Sequence, residues 1–296
     1  MTQIHIPVLL QEAIEYLNLA SNKRYIDATL DGGGHAGAVL QKYPGIKILG
    51  VEFDPNEISC LEKEKPELAR NIILVNETYT AMRDIVSRYS FSPDAILFDL
   101  GISLWHLEQS GRGFSFKKNE VLDMRFNTLK QQKTAADIVN TYPKKELERI
   151  LTLYSQEHFF KEIAYAIVSE RSNGPILDTF QLVSVISYAV PEWYRRKKIH
   201  CATKTFQAIR IEVNDELNTI RNGIEAAIDV LMPNGRLVVI SFHGMEDKVV
   251  RQVFRENEKR KIIQWVTKKT IRPSWSEIQR NLRARSAKMK IIEKIK

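Results

Sequence analysis

The first hundred residues alternate between short apolar runs and segments whose apolar positions have helical spacing. The runs predict strands and are RYIDATL, IKILGVEF, NIILVN and DAILFDL. Because a helical segment separates each strand from the next, the pattern predicts a parallel sheet with right-handed crossovers.

A helical block follows this α/β pattern. Between residues 111 and 202 the apolar spacing predicts only helices, at KKELERILTLY, HFFKEIAYAIVSERS and DTFQLVSVISYAV. One long helix is then predicted from Thr203 to Met232, where PNG at 233–235 ends it.

Strand character returns near the C-terminus, in GRLVVISF, IIQWVTK and AKMKIIEKI. The sequence therefore predicts an α/β domain built from residues 1–110 and 203–296, interrupted by a helical domain at 111–202.

Composition narrows the class of protein. Apolar residues make up 44% and charged residues 27%, which is typical of globular chains. No apolar run approaches the ~18 residues of a membrane helix, and the N-terminus lacks a signal-peptide pattern, so we expect a cytoplasmic protein without membrane contact. Cys60 and Cys201 have no CxxC spacing, which argues against a zinc site or disulfide frame, and both are expected to be buried thiols.

The net charge of +8 is concentrated at one end of the chain. Residues 255–296 contain 14 Lys and Arg against 4 Asp and Glu, whereas the first 254 residues are slightly acidic. A second basic cluster is YRRKKIH at 194–200. Such concentrations favour a phosphate-rich partner, and the alternative is a solvated basic face.

A Gly-rich turn is the first candidate ligand site. The first strand leads into DGGGHAG at 31–37, where a helix follows, and this arrangement lets the backbone approach a ligand closely. Glu52 ends the second strand twenty residues after Gly32, where an acidic side chain typically binds ribose hydroxyls. Dinucleotides and S-adenosylmethionine both present adenosine to such a corner, so the residues leave both cofactors open.

Asp99 lies at the end of the fourth strand, beside the point where ligands of open α/β sheets bind. A dehydrogenase would need a proton-transfer group there, and apart from His243 the histidines lack an evident partner. A methyl donor is already activated and chiefly requires positioning of the nucleophile. A methyltransferase is therefore favoured, and the basic C-terminus indicates a nucleic-acid substrate.

Eight motifs carry a resemblance to a known family over almost the whole chain: HIPVLL, DATLDGGGHAG, DLGIS, RGFSF, LDMR, KTFQAIRIEVNDEL, GRLVVISFHGMED and RARSAKMK. The sequence resembles the bacterial 16S ribosomal RNA cytosine-N4 methyltransferases (RsmH, formerly MraW). The resemblance implies a doubly wound, Rossmann-like methyltransferase sheet with an inserted all-helical domain, and S-adenosylmethionine as cofactor. It also implies N4-methylation of a cytosine in the decoding region of 16S rRNA, with 16S rRNA or the small ribosomal subunit as partner. A homodimer stays open.

The family's cofactor contacts, carried over to this sequence, fall on Gly33, Gly34, His35, Glu52, Tyr79, Asp99 and His106. Glu52 replaces a commoner Asp and Tyr79 a commoner Phe, and both replacements keep the role. His106 replaces a usual Gln, and an imidazole cannot offer the paired donor and acceptor of an amide.

Methylation of the cytosine amine requires a hydrogen-bond acceptor, because the lone pair of that amine is delocalised into the ring. The candidates are Asp99, Asp123 and His243. Each has a competing interpretation: a cofactor-only contact for Asp99, an ion pair with Arg125 for Asp123, and a structural role for His243.

Further residues also have two interpretations. Phe114 and Phe116 could stack a base or anchor the core, and Arg210 and Asn214 share a helical face that could line the site. Two alternatives for the whole protein remain: a non-catalytic RNA-binding protein on a degenerate methyltransferase fold and, less favoured, an NAD-dependent oxidoreductase.

Overall fold

A computed structural model describes residues 7–295, which form two compact units. The first unit comprises residues 7–101 and 217–295, and the second comprises residues 102–216. Relative to the boundaries predicted at 110 and 202, the second unit begins earlier and ends later. One reason is that the helix Thr203–Asn214 packs within the second unit, against the helix Lys144–Ser155.

Seven strands form one sheet in the first unit. They are β1 Arg24–Asp27, β2 Lys47–Val51, β3 Ile72–Val75, β4 Ala95–Asp99, β5 Arg236–Ser241, β6 Ile263–Trp265 and β7 Lys288–Lys294. The order is β3-β2-β1-β4-β5-β7-β6, in which β1 to β5 are parallel and β7 is antiparallel to both neighbours. This doubly wound α/β sheet confirms the predicted fold class, because the order reverses beside β1 as in other open sheets of this kind.

Fifteen helices are described in residues 7–295. Those of the first unit are α1 Leu10–Tyr16, α2 Gly34–Lys42, α3 Pro55–Glu64, α4 Pro66–Arg70, α5 Met82–Arg88, α13 Glu216–Val230, α14 Gly244–Lys259 and α15 Trp275–Arg280. Those of the second unit are α6 Leu104–Glu108, α7 Ala135–Thr141, α8 Lys144–Ser155, α9 Phe160–Glu170, α10 Thr179–Ala189, α11 Glu192–Arg195 and α12 Thr203–Asn214. No helix in the described part of the chain is long and apolar enough to cross a membrane.

The single helix predicted from Thr203 to Met232 is wrong: two helices, α12 and α13, occupy this segment. Asp215 separates them with a φ of +47°, in the left-handed region, and so ends α12. A short polar side chain tolerates this conformation better than most, which is why Asp can end a helix without Gly or Pro.

Alternate residues of the central strands face opposite sides of the sheet, and both sides are buried. One apolar cluster contains Ile26, Phe98 and Val239, and the other contains Tyr25, Leu97 and Val238. Helices α13 and α14 cover the first face, since Ile224 and Phe254 belong to the same cluster as Phe98. The strands were recognisable as continuous apolar runs because both faces are buried.

The second unit has its own apolar core. In residues 102–216 every named element is a helix, and side chains of α7, α8, α9, α10 and α12 form one buried cluster. Cys201 is buried in this cluster as predicted, whereas Cys60 on α3 is partly exposed, so the prediction for Cys60 is wrong.

Candidate active site

The Gly-rich turn connects β1 to α2 at the carboxyl edge of the sheet. Gly33 has a φ of +66° and precedes α2, whose first residue is Gly34. A Cβ atom on Gly33 would lie 2.8 Å from the side chain of Leu68, so glycine is required there both by backbone conformation and by close packing. The Lys65 ammonium donates to the carbonyl of Gly32 at 2.6 Å and helps to fix the turn.

His35, the second residue of α2, connects this turn to β4. Its ring is buried, with Nε2 at 3.1 Å from the carbonyl of Val8. Its Nδ1 lies 3.7 Å from Oδ2 of Asp99. The structure therefore brings two of the predicted cofactor residues, His35 and Asp99, next to each other.

Glu52 follows β2 and is 7% exposed. Its two carboxylate oxygens accept hydrogen bonds from the backbone N–H groups of Asp31, at 2.9 Å, and Asp54, at 2.8 Å. These bonds fix the orientation of the carboxylate. Because a carboxylate offers about four acceptor positions, Glu52 can bind further hydroxyl donors while keeping both backbone contacts.

Tyr79 begins a 3₁₀ turn that follows β3, and its ring packs edge-on against Phe98 at 5.2 Å between centroids. Gly223 of α13 faces this ring, since a Cβ atom on Gly223 would lie 2.2 Å from Tyr79 Cδ2. The position of Tyr79 therefore depends on a glycine in the middle of a helix. Gly223 was not predicted, although an isolated glycine within a helical pattern is a signal of close packing.

Carboxyl groups with little or partial exposure to solvent are the main electrostatic feature of this edge. Burial raises the pKa of Asp27 to about 7, and burial together with Asp27 and Glu246 raises the pKa of Asp99 well above its usual value. Burial, with Glu57 and Glu52, also raises the pKa of Asp31. Asp27 and Asp31 were not predicted as site residues, because the burial that shifts the pKa of a carboxyl group cannot be recognised in the sequence.

Oδ1 of Asp27 and Oδ1 of Asp99 are buried without a hydrogen-bond partner among residues 7–295. Buried acceptors of this kind are costly unless a ligand or water satisfies them. A cationic ligand with hydroxyl and amino donors fits such an edge, and S-adenosylmethionine has this chemistry: a sulfonium, an ammonium and a ribose. Oxygens of Asp31, Glu52 and Glu57 also lie within 4.8 Å of one another, an acidic grouping that does not by itself define a metal site.

His243 lies immediately after β5 and caps the N-terminus of α14. Its Nδ1 accepts from the N–H of Glu246 at 3.3 Å, and its Nε2 lies 2.9 Å from Oε1 of Glu246. Glu246 in turn accepts from the N–H of His243, which completes a capping box. The structure thus supports the structural role of His243, and its contribution to proton transfer stays a prediction.

His106 and Asp123 belong to the second unit. His106 is buried in α6, with Nδ1 at 2.7 Å from the hydroxyl of Ser103 and the rings of Phe114 and Phe126 packed edge-on against it. Asp123 forms the ion pair with Arg125 that the sequence offered as an alternative, at 2.7 Å and 2.8 Å. Their predicted roles as cofactor and substrate contacts stay predictions.

Three side chains of the second unit that had two interpretations have structural partners. Phe114 is a core anchor, 6% exposed and stacked on Phe126. Arg210 forms an ion pair with Glu216, and Asn214 donates to the carbonyl of Met124, so both side chains have structural partners.

The basic C-terminal segment divides into exposed and buried cations. Arg283 and Arg285 are exposed in a 3₁₀ turn, as phosphate contacts would be. Lys290 is buried, with 5% exposure, and pairs with Asp247. Lys288 lies 3.3 Å from the same carboxylate. Lys290 therefore has a structural role within the basic segment.

Comparison with known proteins agrees with the sequence resemblance. Residues 2–295 match the model of the MraW methylase family. Ribosomal RNA small subunit methyltransferase H of Carboxydothermus hydrogenoformans is 41% identical to this chain, and the alignment covers 98% of each protein. The protein of the same name from Dictyoglomus thermophilum is also 41% identical, and the alignment covers 98% of this chain and 97% of that protein. A solved rRNA methylase from Streptococcus thermophilus aligns over 100% of both chains with a TM-score of 0.46 and 11% identity. The matched length of 2–295 and the identity to full-length relatives place this chain in the MraW methylase family.

Proposed function

We propose that the protein transfers a methyl group from S-adenosylmethionine to N4 of a cytosine in the decoding region of 16S rRNA. The protein is a methyltransferase, and its cofactor is S-adenosylmethionine. Support for the rRNA of the small subunit comes from relatives of about 40% identity that carry the name Ribosomal RNA small subunit methyltransferase H. Membership of a methylase family leaves no support for an NAD-dependent oxidoreductase.

The observation that carries the proposal is the pair of buried, unpartnered carboxyl oxygens on Asp27 and Asp99, next to a Gly-rich turn. When bound, S-adenosylmethionine supplies an activated methyl group on a positively charged sulfur. Ionised carboxyl groups at this edge stabilise a positive charge more strongly in buried surroundings than they would in water.

The remaining cofactor residues bind S-adenosylmethionine and orient it. Glu52 accepts hydrogen bonds from ribose hydroxyls, since its carboxylate is already oriented by two backbone N–H groups. Tyr79 offers its ring to the adenine, and Gly33 and Gly34 allow the backbone to approach the ligand. His35 holds the carboxyl of Asp99 in place from the buried side of the turn.

For the methyl acceptor, Asp99 accepts an N4–H of the cytosine and so increases the electron density on the attacking nitrogen. Burial raises the pKa of Asp99, which makes its carboxylate a stronger base, so the ionised form can also take the proton that the amine releases. Asp123 and His243 are the other acceptors, and His106 is an additional cofactor contact.

The test is methyl transfer from labelled S-adenosylmethionine to small ribosomal subunits that lack the modification, and in parallel to protein-free 16S rRNA. Nucleoside analysis should then find N4-methylcytidine at one position of the decoding region. Label on another base, on a cytosine carbon or on another part of the rRNA would contradict the proposal.

A further inference from the structure

A cleft of about 510 Å³ lies on the first unit, between α14, β7 and the segment that follows β6. Seven cationic side chains line it, and Asp247 is the one carboxylate among the described residues in its wall. The cationic residues are Arg251, Arg255, Lys268, Lys269, Arg272, Lys288 and Lys290.

Asp247 is a buried lining residue of the cleft, and three cations surround its carboxylate. Lys290 and Arg251 form close ion pairs with it, and the ammonium of Lys288 is 3.3 Å away. Burial raises the pKa of Asp247, but the hydrogen bond and charge of Lys290 and the bond from Arg251 outweigh burial and lower the pKa to about 2. The carboxylate is thus ionised at any physiological pH and cannot neutralise further cations.

The side chains of the other four cations are exposed and form no ion pair or hydrogen bond with any residue in the range 7–295: Arg255, Lys268, Lys269 and Arg272. Exposed lysines and arginines are commonplace, but here four surround one cleft whose base already holds three more. Like charges at such density repel each other, and an anion in the cleft would relieve that repulsion.

The cleft lies beside the catalytic edge of the same unit. Asp247, Arg251 and Arg255 follow one another at four-residue intervals on α14, so they share one face of the helix whose first turn His243 caps. From His243 to Arg255 the helix advances roughly 18 Å, at 1.5 Å per residue. Lys288 is paired in register with Ser241, the last residue of β5, so the cationic surface begins at the strand end next to that of Asp99.

The chemistry of the lining favours a chain of phosphates over a free nucleotide. The aromatic residue in the wall, Trp265, packs its ring against Phe254 at 5.4 Å between centroids and is only partly exposed, so it is already engaged by the core. Recognition of a nucleotide commonly uses a stacked base, whereas backbone recognition uses cations alone.

We propose that this cleft binds consecutive phosphate groups of the RNA strand that flanks the target cytosine. The inference rests on the proposed function and adds to it the residues that hold the RNA backbone. The cleft would bind the strand while the cytosine itself reaches the strand-end carboxyl groups.

The test compares binding of small ribosomal subunits with unmethylated 16S rRNA to the wild-type protein and to two variants, Arg255→Ala/Arg272→Ala and Lys268→Ala/Lys269→Ala. Each variant should bind about tenfold more weakly or worse at ~0.15 M salt, and the salt dependence of log K should become shallower by about 0.7 for each lost contact with single-stranded RNA. The dissociation constant of S-adenosylmethionine should not change.

Lys63→Ala/Arg88→Ala is the matched control, because it removes two exposed cations from the same unit that form no ion pair with any described residue. It should bind subunits within twofold of the wild type. Arg255→Lys/Arg272→Lys keeps the charge and should retain most of the affinity.

Three outcomes would overturn the inference. If the cleft variants keep the wild-type affinity and salt slope while the wild type methylates subunits, the cleft is not an RNA site and the proposed function stands. If they lose affinity for subunits but not for protein-free 16S rRNA, the cleft binds a protein of the subunit. If the wild type neither binds nor methylates either substrate, the proposed function fails together with the cleft.

Discussion

Two aspartates of the first unit, Asp99 with 11% side-chain exposure and the buried Asp247, have opposite surroundings. Asp99 ends β4 with one oxygen lacking a partner in the described chain, and its pKa is raised. Asp247 lies on α14 with three cations around it, and its pKa is lowered to about 2. A buried carboxylate that the protein satisfies itself stabilises the fold, whereas one that it leaves unsatisfied is available to a ligand.

The largest effect that follows from this comparison is on stability. Asp247→Ala should lower the free energy of unfolding by about 3–5 kcal/mol, because it leaves the buried ammonium of Lys290 without its counterion. Denaturant unfolding measures the loss, and Lys290→Met added to the variant should restore part of it.

Asp229→Ala is the control, because Asp229 is about half exposed in its ion pair with Arg83 and should cost less than ~1 kcal/mol. A loss for Asp247→Ala no larger than for this control would mean that Asp247 does not stabilise the fold through burial.

Asp99→Asn should impair cofactor binding and methyl transfer and should not lower stability. Removing a carboxyl group that has an unpartnered oxygen should leave the melting temperature unchanged or raise it, while cofactor binding weakens by about 1.5–3 kcal/mol, or roughly 10- to 150-fold, and methyl transfer falls further. Calorimetry, thermal melting and the methyl-transfer assay measure the three quantities.

Asp84→Asn removes one exposed carboxylate from the same unit and should change none of them. Near-normal turnover by Asp99→Asn would show that Asp99 does not take part in the reaction. The contrast between a ligand-binding Asp99 and a fold-stabilising Asp247 would then be wrong.

The raised pKa of Asp27 predicts that both the stability of the protein and its affinity for the cofactor depend on pH. Its folded value of about 7 exceeds its usual value of 3.8, so the folded protein retains a proton that the unfolded chain releases, and stability without cofactor should fall as pH rises from about 4 through 7. Ionisation favours a bound cation, so affinity for S-adenosylmethionine should increase over pH 6 to 8, by at most about tenfold per pH unit.

S-adenosylhomocysteine is the control for this titration, because it lacks the sulfonium charge and should show a smaller pH dependence. Asp27→Asn should flatten the curve for S-adenosylmethionine. Parallel curves for the two ligands with the unmodified protein would show that these carboxyl groups do not respond to the sulfonium.

The smallest effect is expected at His106. His106→Gln introduces the residue usual in the resembling family, so cofactor affinity should change less than about twofold, while the loss of aromatic edge contacts should cost about 0.5–1.5 kcal/mol of stability. His158→Gln, at an exposed position where the ring has one edge contact with Phe159, should leave cofactor affinity unchanged and should cost less stability. Loss of activity in a folded His106→Gln protein would mean that this imidazole has a function that glutamine cannot replace.

The strands of the sheet were predictable from the sequence because the central strands are buried on both faces, so each is an uninterrupted run of apolar residues. The Gly-rich turn, Glu52 and Asp99 were predictable for a related reason: each has a fixed place relative to the end of a strand. These features depend on local order along the chain.

Features that depend on distant residues were not predictable. Asp247 and Lys290 are 43 positions apart and meet only because β7 is antiparallel to β5. The surroundings of His106 include Phe126, twenty residues later. No Gly or Pro marks the break between α12 and α13. Asp215 itself adopts the left-handed backbone conformation there, which costs Asp less free energy than it costs most other residues.

The order of the strands has a consequence for synthesis of the protein. The neighbours β4 and β5 are separated in sequence by residues 100–235, and this interval contains the whole second unit. The second unit is continuous in sequence and can fold as soon as it leaves the ribosome, whereas the sheet waits for its last three strands. We therefore expect truncated chains that end near residue 230, once released from the ribosome, to protect the helical unit from proteolysis while the incomplete sheet stays cleavable.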